Sequence, residues 1–306
     1  MRKVLVTGGC GFVGYCVIRE LLARYPDVEV TSMSRTEGEL LPLMQVHTTG
    51  RLRAVLADIR DTDAIRFAAK YSDTVIHLAA MKRIDLCEEQ SREAVSTNVI
   101  GTMNALHAFN GDTFLFMSTD KAVEPASCYG CSKLVAERLV LEEARKRTGK
   151  ARFMIIRAGN VGGSTGGVLE VWKQQIEQNN EITVTNLNMM RSFTSLDNVV
   201  DLILAVLERG ENGKVYLTPQ TQTVKLGRLA EEVIKECGND RTRVRIVGMR
   251  PGEKLREKTH LRSEKNVVVG FNRRAGRESG RRSRTVLVQD GDLCREGASG
   301  MARVNP

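Results

Sequence analysis

KVLVTGGCGFVG, running from Lys3 to Gly14, sets the reading of everything that follows it. Lys3–Thr7 reads as a buried strand and Phe12–Arg24 as a helix, so Gly8, Gly11 and Gly14 fall on the turn between them. Glycine suits that turn because it adopts unusual dihedrals without strain and lets the backbone approach a pyrophosphate with no side chain intervening. The helix N-terminus beyond offers free N–H groups and a favourable dipole to an anion. A bare glycine pattern is weak evidence, but between a strand and a helix it has the context a dinucleotide fold requires.

Outward from there, strands are expected over 28–34, 52–57, 74–79, 113–118 and 152–157, alternating with helices over 63–70, 92–108 and 129–147. Asp61 and Asp63 suit a helix N-cap, and Gly149 suits the stop of the last helix. Strands apolar on both faces and joined by helices imply an α/β chain with a doubly wound parallel sheet of the Rossmann kind. After Arg157 the rhythm turns irregular, with helices expected over 168–178, 196–208 and 226–237 and strands over 181–185 and 244–247. We therefore expect a cofactor-binding body (1–160 and 194–218) interleaved with a smaller substrate-binding lobe (161–193 and 219–262). Residues 263–306 are expected to form a loose basic tail, because RRAGRESGRRSR has no apolar period.

Composition narrows the function. With 42% hydrophobic and 27% charged residues, the 306-residue chain has the profile of an ordinary globular protein. Its longest apolar runs, such as 199–206, are broken by charges and are too short for a membrane span. No leader pattern precedes the first strand, so a cytoplasmic location is expected. The seven cysteines are scattered, and Cys128 and Cys131 lack a second ligand pair, so neither a disulfide framework nor a metal site is expected. Residues 262–306 hold 10 of the 46 Lys/Arg but only 5 of the 37 Asp/Glu. The net charge of +9 is thus partly local and calls for no nucleic-acid partner.

Two stretches carry chemistry. About 20 residues beyond the glycines, an NAD enzyme would offer an acid to the adenosine ribose. Here the second strand ends in Ser34-Arg35, which suits a 2′-phosphate and points to NADP. Further on, Tyr129 and Lys133 lie one helical turn apart. In this fold the Lys133 ammonium is expected to lower the phenol's pKa, so that Tyr129 takes a hydroxyl proton, and to hold the nicotinamide ribose. Asp120-Lys121, at the preceding strand end, pairs an acid with a base, as removal of a proton with loss of a hydroxyl requires.

With these residues in view, the chain from Lys3 to about Leu261 resembles the inverting UDP-N-acetylglucosamine 4,6-dehydratases, in the polysaccharide-biosynthesis group of extended short-chain dehydrogenases/reductases. The likeness rests on ADIRD (57–61), HLAAMKRI (77–84), STDKA (118–122) with YGCSK (129–133), RAGNVGGSTGGV (157–168), MMRSF (189–193) and GMRPGEKL (248–255). It implies that Phe12, Asp58, Ile59, Ala79 and Lys82 join the cofactor side, Asp58 accepting from the adenine edge. It also implies that Lys82 and Glu88 line the active site and that Asn160 and Val168 touch the nucleotide. Arg191 and Arg250 would bind the diphosphate, and Glu253 would accept ribose hydroxyls.

The implied reaction dehydrates a UDP-hexose with inversion at C5. Tyr129, assisted by Lys121, takes the 4-hydroxyl proton, Lys121 removes the C5 proton, and Asp120 protonates the departing 6-hydroxyl. NADP stores the hydride between C4 and C6. Relatives form dimers or hexamers, so a homo-oligomer is implied. The chain departs from the pattern at Asp85, Cys128, Gly167, Glu170 and Trp172, all around the sugar. The rival readings are a UDP-sugar 4-epimerase, which would not need Asp120-Lys121, and a non-catalytic NADP-binding regulator.

Overall fold

Alternating apolar runs and amphipathic segments produce alternating strands and helices in the computed structural model, which describes residues 1–271 apart from 47–49, 148, 150, 165–166, 220–221 and 270. The first half comprises β1 (Lys3–Thr7), α1 (Phe12–Arg24), β2 (Glu29–Ser34), α2 (Glu37–Val46), β3 (Leu52–Leu56), α3 (Thr62–Ala69) and β4 (Thr74–His77). There follow α4 (Ile84–Glu89), α5 (Ser91–Val95), a π turn (Ser96–Ile100), α6 (Gly101–Ala108), β5 (Thr113–Thr119), a 3-10 turn (Asp120–Ala122), α7 (Cys128–Lys146) and β6 (Arg152–Ala158). The remainder comprises β7 (Asn160–Val161), α8 (Val168–Asn179), β8 (Glu181–Val184), β9 (Met190–Thr194) and α9 (Leu196–Arg209). Last come β10 (Val215–Leu217), β11 (Gln222–Lys225), α10 (Leu226–Cys237), β12 (Arg243–Ile246) and β13 (Val267–Val268).

Eight strands form a wholly parallel sheet in the order β13-β10-β6-β5-β4-β1-β2-β3. On one face α1 and α9 bury Val17, Ile18, Leu21, Ile203 and Val206; on the other, α3, α6 and α7 bury Ile65, Ala105 and Val140. The strand order reverses between β1 and β4, which opens a crevice at their C-terminal ends. Two small sheets, β11-β9-β7 and β12-β8, flank it over their own core of Trp172, Ile176, Ile182, Leu229 and Val233.

The expected doubly wound sheet is present, with α1 and α10 at the expected residues. Asp61, not Asp63, caps α3, accepting from the N–H groups of Asp63 and Ala64. The helix expected over 92–108 is interrupted by the π turn, whose Asn98 is buried and bonds Met81 and Ser132. Helix α2 was not expected; Pro42 lies inside it and hides its periodicity. Correcting the expected tail, residues 263–269 and 271 lie against the main sheet. There β13 pairs with β10, Glu264 binds Arg157, and the Phe271 ring packs on Tyr216. The RRAGRESGRRSR segment lies outside the described residues.

A buried ion network underlies α7. Arg157, 3% exposed, donates to both Glu137 oxygens at 2.8 and 2.7 Å and to both Glu264 oxygens at 2.9 and 2.8 Å. Removing the guanidinium alone strands a buried carboxylate. Arg157→Met is expected to cost about 3–5 kcal/mol, and Arg157→Met with Glu137→Gln to recover part of that loss. Urea unfolding of the two variants measures both.

Candidate active site

A cleft of about 1080 Å³ runs from the β1–α1 turn to the small sheets. Its floor depends on two glycines. Gly8 has φ +69°, and a Cβ there would stand 2.9 Å from the Ala79 backbone nitrogen; a Cβ on Gly14 would stand 2.4 Å from the Gly8 carbonyl oxygen. The turn therefore packs on the chain leaving β4 and leaves the N-terminus of α1 open to an anion. Sequence reasoning missed Gly9, where a Cβ would meet the Ser32 hydroxyl oxygen at 2.3 Å. The Gly8-Gly9 doublet was the available signal.

Of the residues expected on the cofactor side, Gly8, Gly11, Phe12, Gly14, Ser34, Arg35, Ile59, Ala79 and Lys82 line this cleft. Asp58 does not: Arg60 engages both its oxygens, at 2.9 and 3.0 Å on one and 2.7 Å on the other. The structure also adds an acid. Glu39, on the unexpected α2, accepts from the Ser34 hydroxyl at 3.4 Å and lines the cleft beside Arg35.

At the far end, β5 delivers Lys121 to the cleft on a 3-10 turn with Asp120 behind it, outside the lining, and Ser127 caps α7 so that Tyr129 and Lys133 face inward from its first two turns. Asp120 is 1% exposed, while the Lys121 side chain is 14% exposed. The Lys121 ammonium donates to Asp120 Oδ1 at 3.0 Å and to Asn160 Oδ1 at 3.4 Å. The Thr119 hydroxyl also donates to Asp120 Oδ1 at 3.0 Å, while Asp120 Oδ2 is buried without a hydrogen-bond partner among the described residues.

Burial pushes the Tyr129 phenol well up, a hydrogen bond with Thr119 opposes it, and Asp120 adds to it. Burial also pulls Lys133 down to about 7, against the opposing pull of Glu137. The Lys133 ammonium lies 4.0 Å from the centroid of the Phe116 ring. Of these influences on the phenol, burial is the largest.

The expected substrate-side residues Lys82, Glu88, Asn160, Val168, Arg191, Arg250 and Glu253 also line the cleft. Glu88 is in addition structural, since it accepts the Cys128 N–H at 2.6 Å, at the start of the Tyr129 helix. Arg191, 9% exposed, donates to the carbonyls of Met190 and Lys254, both at 2.9 Å, and burial pulls its pKa down. Glu253 Oε2 accepts the Arg250 N–H at 3.0 Å, closing the turn between them. Among the described residues no cluster fits a metal ion, and no helix is long and apolar enough to cross a membrane.

A glycine cradle at the strand-order reversal, with a Tyr–Lys pair on the helix after β5, defines a nucleotide-binding α/β protein of the extended short-chain dehydrogenase/reductase type. More narrowly, the chain belongs to the polysaccharide biosynthesis protein family, whose model matches residues 4–275. It is 31% identical to the inverting UDP-N-acetylglucosamine 4,6-dehydratase of Campylobacter jejuni, over 84% of this chain and 76% of that protein. It is 32% identical to the UDP-glucose 4-epimerase of Rickettsia bellii, over 83% and 76% respectively. Among solved structures it is similar to the dTDP-glucose 4,6-dehydratase of Streptomyces venezuelae with NAD and TYD bound, at 25% identity and TM-score 0.77, over 84% of this chain and 88% of that one.

Beneath Lys133 lies His77, fully buried between the hydroxyls of Thr7 (2.6 Å) and Thr102 (3.0 Å), its pKa pulled down to about 3 by burial and then by Lys133. The unfolded chain takes up this proton near pH 6.5 and the folded chain only near 3, so folding loses stability as pH falls through that window. The slope is about 1.4 kcal/mol per pH unit. His77→Gln is expected to remove that contribution, as urea midpoints measured from pH 7 to 4 will show.

Proposed function

We propose that the protein dehydrates a UDP-hexose, UDP-N-acetylglucosamine foremost, to a 4-keto-6-deoxy sugar with inversion at C5, for surface polysaccharide or glycan synthesis in the cytoplasm. One observation carries this reading: the Lys121 ammonium and the buried Asp120 carboxylate share a hydrogen bond. Elimination needs a free amine to take the C5 proton and a protonated carboxyl to release the 6-hydroxyl as water. Moving one proton along the Lys121–Asp120 bond creates both at once. The proton arrives on Asp120 Oδ1, the oxygen that accepts from Lys121.

The glycine turn suits a dinucleotide, because Gly8, Gly11 and Gly14 line the cleft where the uncapped N-terminus of α1 opens. We assign it to NADP, with Ser34 and Arg35 toward the 2′-phosphate. When bound, NADP would accept the C4 hydride and return it at C6, while C5 takes a solvent-derived proton on the face opposite the one it lost. Around it, Tyr129 takes the 4-hydroxyl proton, with Lys121 assisting. The buried Lys133 holds the ribose, and Asn160 orients Lys121 while its own amide donates to the Ser192 carbonyl. Arg191 and Arg250 bind the diphosphate, whose planar demands a guanidinium fork meets. In this reading 1–160 and 194–218 form the cofactor body, 161–193 and 219–262 the substrate lobe, and the active species is a homo-oligomer.

A 4-epimerase is the second reading, supported by the Rickettsia relative; it uses Tyr129 and Lys133 alike but gives Asp120 and Lys121 nothing to do. Mass spectrometry of UDP-N-acetylglucosamine after incubation with enzyme and NADP is expected to show loss of one water. Asp120→Asn and Lys121→Met are each expected to slow that loss about 10²–10⁴-fold. An isomer of unchanged mass overturns the dehydratase reading. Because a carboxylate beside Ser34 disfavours a 2′-phosphate and favours ribose hydroxyls, Glu39→Gln is expected to tighten NADP about fivefold, roughly 1 kcal/mol, and not to tighten NAD; calorimetry of both cofactors checks it.

A further inference from the structure

We infer that Lys254 is a positioning residue whose ammonium holds the catalytic turn against the substrate-side segment. Lys254 follows the Arg250–Glu253 turn, and its side chain reaches the segment that follows the Asp120–Ala122 turn. Its Nζ donates to the carbonyls of Val123 and Glu124 at 2.9 and 3.2 Å and lies 3.1 Å from Glu257 Oε2. Two carbonyls accept from the ammonium, and the Glu257 carboxylate stands beside it as an ion-pair partner. The side chains are largely withdrawn from water, Glu257 being 4% exposed and Lys254 20%. A charge placed so is held by its partners rather than by solvent.

The two carbonyls belong to the segment that fixes the acid-base couple. The Val123 N–H bonds the Asp120 carbonyl at 3.0 Å, which closes the 3-10 turn carrying Asp120 and Lys121. Glu124 then adopts φ +46°, a left-handed conformation that a non-glycine residue holds only when its surroundings impose it. The Lys254 bond to the Glu124 carbonyl is part of that imposition, and Lys258 reaches the Glu124 carboxylate from the same segment at 2.8 Å. On its other side, the Lys254 backbone carbonyl accepts from Arg191 at 2.9 Å.

Arg191, assigned above to the diphosphate, is thereby one residue removed from the turn holding Asp120 and Lys121. Filling the nucleotide subsite stiffens Lys254, and Lys254 stiffens the acid-base couple. The link to catalysis rests on the dehydratase reading; the hold on the turn does not.

Hydrogen exchange of the peptide spanning 119–126 tests the hold directly, without turnover. In the ligand-free full-length protein, Lys254→Met is expected to speed exchange there about tenfold and leave the β1 and β4 amides unchanged. Lys258→Met, which removes only the more exposed pair, is expected to leave it near wild type. Unchanged exchange in Lys254→Met overturns the inference, as does acceleration spread over the whole sheet. The coupling has its own readout. Lys254→Met is expected to lower kcat at least tenfold while the affinity for UDP shifts less than threefold. Equal losses in both would mark a merely structural role and overturn the coupling. If the wild type releases no water, the dehydratase reading fails, while the exchange result still decides whether Lys254 holds the turn.

Discussion

A single hydrogen bond, from the Lys121 ammonium to a carboxylate that is 1% exposed, constrains the site more than any other contact. Withdrawing two charges from water costs several kcal/mol each unless geometry and further hydrogen bonds compensate. The compensation is local: Thr119 donates to the same Asp120 oxygen, and Asn160 accepts from Lys121. Each of these partners comes from a different position in the fold, namely the end of β5, the 3-10 turn after it, and β7. The parallel sheet sets β5 beside β6, and the chain leaving β6 into β7 brings Asn160 alongside. The pair therefore depends on the sheet being whole.

Below the pair, burial governs the remaining groups. His77 and Lys133 are both pulled toward neutrality, His77 to about 3 and Lys133 to about 7. Glu137 pulls Lys133 the other way, while Arg157 neutralises Glu137 through two hydrogen bonds. A lysine poised near neutral pH moves between charged and uncharged forms at little cost. Within this layer each charge stands in for its neighbour's missing solvent.

Much of this was legible from the chain. The KVLVTGGCGFVG stretch placed β1, its turn and α1, because strand period, glycine turn and helix period agree there. Tyr129 and Lys133 were legible from helical spacing, and Asp120-Lys121 from position at a strand end. Other features had no such signature. Helix α2 carries Pro42, and with it Glu39, whose proximity to Ser34 bears on cofactor choice. Asp58 satisfied a motif but is taken by Arg60, a local pairing that spacing does not reveal. Asn98 and Lys254 act through contacts 17 and 131 residues away, and such long-range hydrogen bonds leave no local period. The strand β13 is only two residues long, and the basic stretch beyond it masked it.

The dehydratase and epimerase readings both use the Tyr129–Lys133 pair and part at C5, where only the proposed dehydration gives Lys121 a role. Proton NMR of the sugar formed from UDP-N-acetylglucosamine in heavy water distinguishes them at that carbon. Deuterium at C5, a methyl group at C6 and couplings of the inverted configuration are the expected result. A product that keeps its C5 proton and its 6-hydroxyl, changed only at C4, would contradict the role given to Asp120 and Lys121.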